Sequence, residues 1–153
     1  MRAITDSKAI LIVILLYAGI QGIFTQTVNG QTIVRYRELN MGAAHMGRDY
    51  TETGFFPGAS FLWGRTSYSA GGLVVDRQLG VAFPTILTGK IGVGYGSEKG
   101  AALVGIRPWP PSAYIQGNIG TTKGTVVFTA ELSHPEFGYS SIFTAGYRWN
   151  RGN

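Results

Sequence analysis

The sequence predicts an all-β fold: an antiparallel up-and-down β-barrel of about eight strands, preceded by an N-terminal signal helix. Three observations carry this prediction. Beyond residue 30, eight short segments alternate apolar with small or polar residues and are separated by turn signals. No helical period of about 3.6 residues runs through that part of the chain. Charged residues are 14% of the sequence, against ~25% in ordinary soluble domains, while glycines number 23 and aromatics reach 12%. Low charge, abundant glycine and many aromatics suit strands with tight turns and suit a helical bundle poorly.

The N-terminus has a different character. Arg2 and Lys8 flank an apolar run over residues 9–20 (AILIVILLYAGI). That run has signal-peptide length, whereas a membrane-crossing helix needs about 20 apolar residues and Gln21 interrupts too early. Val28-Asn29-Gly30 places small or modest side chains before a cut, so cleavage is expected before Gln31. A cut near Gln26 and an uncleaved helical anchor are the competing readings. The expected organisation is a signal peptide over residues 1–30 and a barrel domain over residues 31–153.

In residues 32–45, Leu39, Met41 and Ala43 oppose Glu38, Asn40 and Gly42, but Arg35 and Arg37 share the apolar face and leave the first half open. Residues 47–58 (GRDYTETGFFPG) read as a polar, turn-rich loop, long enough to be functional or mobile. Tyr50, Phe55 and Phe56 are its candidate contact residues. Residues 59–69 form a second strand of undecided facing, closed by the turn Ala70-Gly71-Gly72. Residues 73–83 set Val75, Leu79, Val81 and Phe83 against Asp76, Gln78 and Gly80, with Arg77 on the apolar side. An arginine there costs about 2–4 kcal/mol at mid-bilayer unless it lies near head groups.

Pro84 and Thr85 break the pattern. Residues 88–96 place Ile91, Val93 and Tyr95 opposite Lys90, Gly92 and Gly94, the glycines leaving room on one side of a narrow barrel. Residues 101–109 place Ala102, Val104 and Ile106 opposite Leu103, Gly105 and Arg107, and the prolines at 108, 110 and 111 require a connection. Residues 113–120 set Ile115 and Ile119 against Gln116 and Asn118. Residues 125–133 are the clearest segment, with Val126, Phe128, Ala130 and Leu132 opposite Thr125, Thr129 and Glu131. After a loop over residues 134–138, residues 139–149 place Phe143, Ala145, Tyr147 and Trp149 opposite Ile142, Thr144, Gly146 and Arg148. An apolar face ending in large aromatics, backed by a polar face, is what a lipid-facing strand requires. Tyr147 and Trp149 are the expected interface aromatics, and Trp63 and Trp109 read the same way.

Other chemistry finds little support. The net charge of +5 comes from scattered cations without charge blocks, so nucleic acid is not an expected partner, and acidic head groups are the alternative sink. With no cysteine there is no disulfide framework or thiolate site, and two distant histidines, His45 and His134, make no metal motif. Ser133 and His134 are adjacent, but strand neighbours point to opposite faces and cannot share a proton without a turn. TGKIGVGYGSEKG lacks the order of a phosphate loop. No cofactor and no enzymatic activity are expected.

Phe143-Thr-Ala-Gly-Tyr-Arg-Trp149, with the signal segment and the even strand number, resembles the small outer-membrane β-barrel proteins of Gram-negative bacteria. The segment is similar to that family's C-terminal insertion signal, although residues 150–153 follow the tryptophan. The resemblance implies location in the bacterial outer membrane, contact with outer-membrane lipid and recognition by the barrel assembly machinery through the last strand. It also implies a structural, adhesive or envelope-integrity role with an unidentified extracellular partner. Some members of the group are lipid A deacylases or acyltransferases that use histidine and serine on the outer rim. An eight-stranded barrel is only wide enough inside for side chains. Asp76, Lys90, Arg107, Glu131 and Arg148, all on the faces assigned inward, are therefore expected to pair as a lumen charge network. The alternative is a secreted or periplasmic soluble barrel holding an apolar ligand in its lumen, with Asp76, Lys90, Glu131 and Arg148 outward.

Overall fold

The computed structural model describes residues 31–46, 54–83, 86–109, 111–133 and 141–150. The expected signal peptide, Tyr50 and His134 fall outside them. Eight strands follow one another around a closed barrel: β1 (Thr32–Met46), β2 (Gly54–Tyr68), β3 (Leu73–Phe83), β4 (Ile86–Ser97), β5 (Gly100–Arg107), β6 (Ser112–Gly120), β7 (Thr125–Ser133) and β8 (Ser141–Asn150). Each is antiparallel to the next, and β8 closes the ring on β1, with Arg37 opposite Trp149 and His45 opposite Ser141.

The register fixes the shape of the barrel. From Ser97 on β4, successive partners are Gly100, Ile119, Val126, Tyr147, Leu39, Phe61, Val81 and then Leu87, back on β4. One circuit thus climbs from Ser97 to Leu87, a stagger of ten residues. At ~3.3 Å per residue and ~4.8 Å per strand spacing, this stagger tilts the strands by about 40° from the barrel axis. Each residue then rises ~2.5 Å along the axis, and each step from strand to strand ~3 Å. One end carries the turns between β2 and β3, β4 and β5, and β6 and β7; it is the turn end. Gly72 in the first of these has φ +85°, a left-handed conformation that glycine adopts without strain.

Alternation carries through every strand. Val74, Asp76, Gln78 and Gly80 of β3 are buried, whereas Leu79, Val81 and Phe83 are exposed. The two strands of open facing resolve the same way. Tyr36, Glu38 and Asn40 of β1 and Leu62 and Thr66 of β2 point inward, leaving Arg35, Leu39, Met41, Trp63 and Arg65 exposed.

The loop expected over residues 47–58 does not reach residue 58, because residues 54–58 are strand. Pairing continues from Ala43–Pro57 to Met46–Gly54, so Phe55 and Phe56 are residues of β2 and not of a loop. Pro57 does not end the strand because β2 meets β3 only from Ala59 onward. The proline therefore sits on an edge, where its missing N–H removes no ladder bond to β3.

Candidate functional site

Two ion-paired clusters fill the interior, and between them they draw on all eight strands. In the first, Arg148 of β8 donates from Nε to Glu38 Oε2 of β1 and from Nη2 to Asp76 Oδ2 of β3 at 2.8 Å. Asp76 also accepts from the Tyr36 hydroxyl at 2.7 Å, Thr66 Oγ1 at 2.8 Å and Gln78 Nε2 at 2.8 Å. Asn40 Nδ2 donates to Glu38 Oε1 at 2.7 Å, and the Arg148 guanidinium carbon lies 4.1 Å from the centroid of the Tyr36 ring. In the second cluster, Glu131 Oε1 of β7 accepts from Lys90 Nζ of β4 and Arg107 Nη2 of β5, both at 2.7 Å. Ser112 Oγ of β6 donates to Glu131 Oε2 at 3.2 Å, and Lys90 Nζ lies 5.3 Å from the Tyr114 ring centroid.

The five residues singled out in the sequence, Asp76, Lys90, Arg107, Glu131 and Arg148, are all buried, divided between the two clusters. Sequence reasoning missed Glu38 and Tyr36. Their signal was the spacing of two through Tyr36, Glu38 and Asn40, obscured by the arginines alternating with them. With Glu38 included, three buried carboxylates meet three buried cations among the described residues. Each charge has a direct counter-ion, which offsets the desolvation that makes a lone buried ion costly.

Glycine makes room for the two tyrosines. A Cβ at Gly64 would run into the Tyr36 ring, and one at Gly92 or Gly105 into Tyr114. The Tyr36 ring thus occupies the space over bare backbone on β2, and the Tyr114 ring that on β4 and β5, a packing device that stiffens glycine-rich strands. At the turn end a vestibule of about 510 Å³ is lined by Tyr36, Tyr68, Glu98, Lys99 and Arg148.

On the outside the polarity is reversed. Phe128 is 52% exposed and Phe143 60%, while Glu131 and Arg148 are 1% and 2% exposed. Tyr147 stacks on Trp149 with centroids 6.2 Å apart, and Phe61 lies 6.1 Å from Trp149 and 4.9 Å from Trp63. At the opposite, loop end, the Phe55 ring meets His45 edge-on at 5.4 Å, and Phe56 lies 5.8 Å from Phe83. Ser133 Oγ donates to the Pro111 carbonyl at 2.7 Å. His45 stands opposite Ser141, but the described carboxylates are the three in the interior and Glu98 in the β4–β5 turn, so none completes a triad there. No group of three or more metal-binding side chains occurs among the described residues.

These features define a class: a closed eight-stranded antiparallel barrel with a filled, charge-paired interior and an apolar exterior. No protein-family model matches the chain, and neither a curated protein nor a solved structure shows significant similarity to it.

Proposed function

We propose that this protein is an outer-membrane β-barrel with a structural, adhesive or envelope-integrity role and no enzymatic activity. The observation that carries this reading is the inverted burial. Among the described residues, six large hydrophobics are buried, against fourteen polar or charged ones, and twenty-one large hydrophobics are exposed. A soluble protein rarely shows water a contiguous apolar surface of that extent. Hydrocarbon accommodates it without penalty, and in the closed ring every strand has a partner strand on both sides.

The dimensions support the same reading. With the axial rises given above, the outward apolar band from Tyr95 to Phe83 spans about 20 Å, close to the ~25 Å belt of outer-membrane barrels. Tyr95, Tyr147 and Trp149 lie toward one margin, and Phe55, Phe83 and Trp109 toward the other, as interface girdles require. A soluble barrel with an apolar ligand inside needs Asp76, Lys90, Glu131 and Arg148 on its surface, and all four are interior. The loop-end hairpin of β1 and β2, with Phe55 exposed, is the surface this reading assigns to an extracellular partner.

Two measurements on the full chain test the proposal. An integral barrel resists carbonate extraction and changes gel mobility on heating. Leu79, exposed and close to the middle of the band, discriminates further. Leu79→Arg should destabilise the protein in lipid vesicles by about 2–4 kcal/mol. Release by carbonate together with a neutral Leu79→Arg would overturn the proposal.

A further inference from the structure

The interior charges cancel, so the positive charge of the described residues lies elsewhere, and much of it is on the outward face at one place. Arg35 of β1 stands directly opposite Arg65 of β2, and Arg65 opposite Arg77 of β3. Arg37, the next outward residue on β1, is flanked by Trp149 on one side and Trp63 on the other. Arg35 and Arg65 are exposed, while Arg37 is half-buried between the two indoles.

Directly opposed residues have Cβ atoms about 4.5–5.5 Å apart, and like charges there repel. No described carboxylate shares this outward face: Glu38, Asp76 and Glu131 are interior and Glu98 is in a turn. By the axial rises above, Arg35, Arg37, Arg65 and Trp149 fall within about 5 Å of one level, at the turn-end margin of the apolar band. A cluster of guanidiniums framed by indoles at that depth suits an anion tethered to a hydrocarbon chain. Phosphate oxygens accept from the guanidinium forks, the indoles sit at the headgroup level, and acyl chains cover the leucines and phenylalanines above.

We infer that Arg35, Arg37 and Arg65, framed by Trp63 and Trp149, form a binding site for the phosphate of an acidic phospholipid in the leaflet at the turn end of the barrel. This rests on the membrane reading. It goes further by naming a lipid class, a leaflet and the residues. Arg77 extends the row but is not needed for it.

The test uses the full chain refolded into phosphatidylcholine vesicles containing a minor fraction of brominated phosphatidylglycerol or, in parallel, brominated phosphatidylcholine. Trp109→Phe removes the third tryptophan, so that quenching reports which lipid lies beside Trp63 and Trp149. The acidic lipid should be enriched about fivefold or more over its bulk fraction, the order that one cation near a membrane surface contributes. Arg35→Gln combined with Arg37→Gln and Arg65→Gln should abolish the enrichment while carbonate resistance and the heat-dependent gel shift persist. That persistence separates failure of this site from failure of the membrane reading. Equal quenching by both lipids would overturn the inference. So would displacement of the acidic lipid by millimolar inorganic phosphate beyond a chloride control of equal ionic strength, because the site would then be one for a free anion.

Discussion

Arg148→Ala is the sharpest perturbation available in the interior. Arg148 is 2% exposed and is bonded to two carboxylates on different strands, Glu38 and Asp76. Truncation leaves both acids buried, with Asp76 retaining Tyr36, Thr66 and Gln78 as neutral donors and Glu38 retaining Asn40. Breaking one buried pair by removing a partner costs about 3–5 kcal/mol. The residual donors hold the expected loss here to about 4 kcal/mol, even with two pairs broken. For a denaturant slope of ~2 kcal/mol per molar urea, the unfolding midpoint falls by about 2 M.

The assay is urea unfolding of the barrel in vesicles, followed by tryptophan fluorescence and by the proportion of heat-modifiable band. Arg148→Lys keeps a cation but loses the two-pronged geometry, and should lie between wild type and the alanine variant. Arg148→Met combined with Glu38→Gln and Asp76→Asn removes every charge of the cluster and should recover most of the loss, since an absent ion pair is far less harmful than a broken one. A loss below about 1 kcal/mol for Arg148→Ala, the size of an exposed bridge, would refute the reasoning. So would a triple variant no more stable than the single one.

The second cluster behaves in the opposite sense of charge. Glu131→Gln leaves Lys90 and Arg107 facing each other and should lower stability by about 3–5 kcal/mol in the same unfolding assay, with partial recovery on adding Lys90→Met. The glycines divide by what they face. Gly64→Ala forces the Tyr36 ring off its bed and should destabilise and broaden the transition, whereas Gly117, on the outer face with nothing within 4 Å of an added Cβ, should tolerate Gly117→Val with a gain of about 0.5–1 kcal/mol. Equal effects at the two positions would show that the tyrosine packing does not matter.

Facing was legible in the sequence because it needs only a period of two, and β3 to β8 each contain an uninterrupted run of it. β1 and β2 were harder to read because Arg35, Arg37 and Arg65 share the outer face with Leu39, Met41 and Trp63. An arginine can lay its apolar stem along an apolar surface while its charged head reaches a polar one, so its charge misreports its facing. The start of β2 was hidden for a different reason. Residues 54–58 pair with β1 alone, and one-sided pairing accepts the proline that elsewhere signals a strand end. Cross-lumen partners were out of reach altogether. Alternation says that Arg148 and Asp76 both point inward, but their meeting depends on the stagger of the whole ring.

The two halves of the pattern divide the work of fixing that stagger. A slip of β8 against β1 by one residue would turn Arg148 toward the outside and Trp149 toward the lumen, so the apolar rows exclude every odd slip. A slip by two preserves all facings and costs the apolar rows little, but it moves Arg148 about 6.6 Å along the strand, away from Glu38. The charge clusters are therefore what excludes even slips. Removing the first cluster with the Arg148→Met, Glu38→Gln, Asp76→Asn combination should leave a barrel whose β1–β8 register is mixed. The chain contains no cysteine, so paired substitutions report the register directly. Leu39→Cys with Tyr147→Cys, partners in the native register, should crosslink in both backgrounds. Met41→Cys with Tyr147→Cys, offset by one outward position, should crosslink only when the charges are gone. If the offset pair stays unlinked in the neutralised barrel, register is set by the turns and the outer rows alone, and the interior ion pairs contribute stability without specifying the stagger.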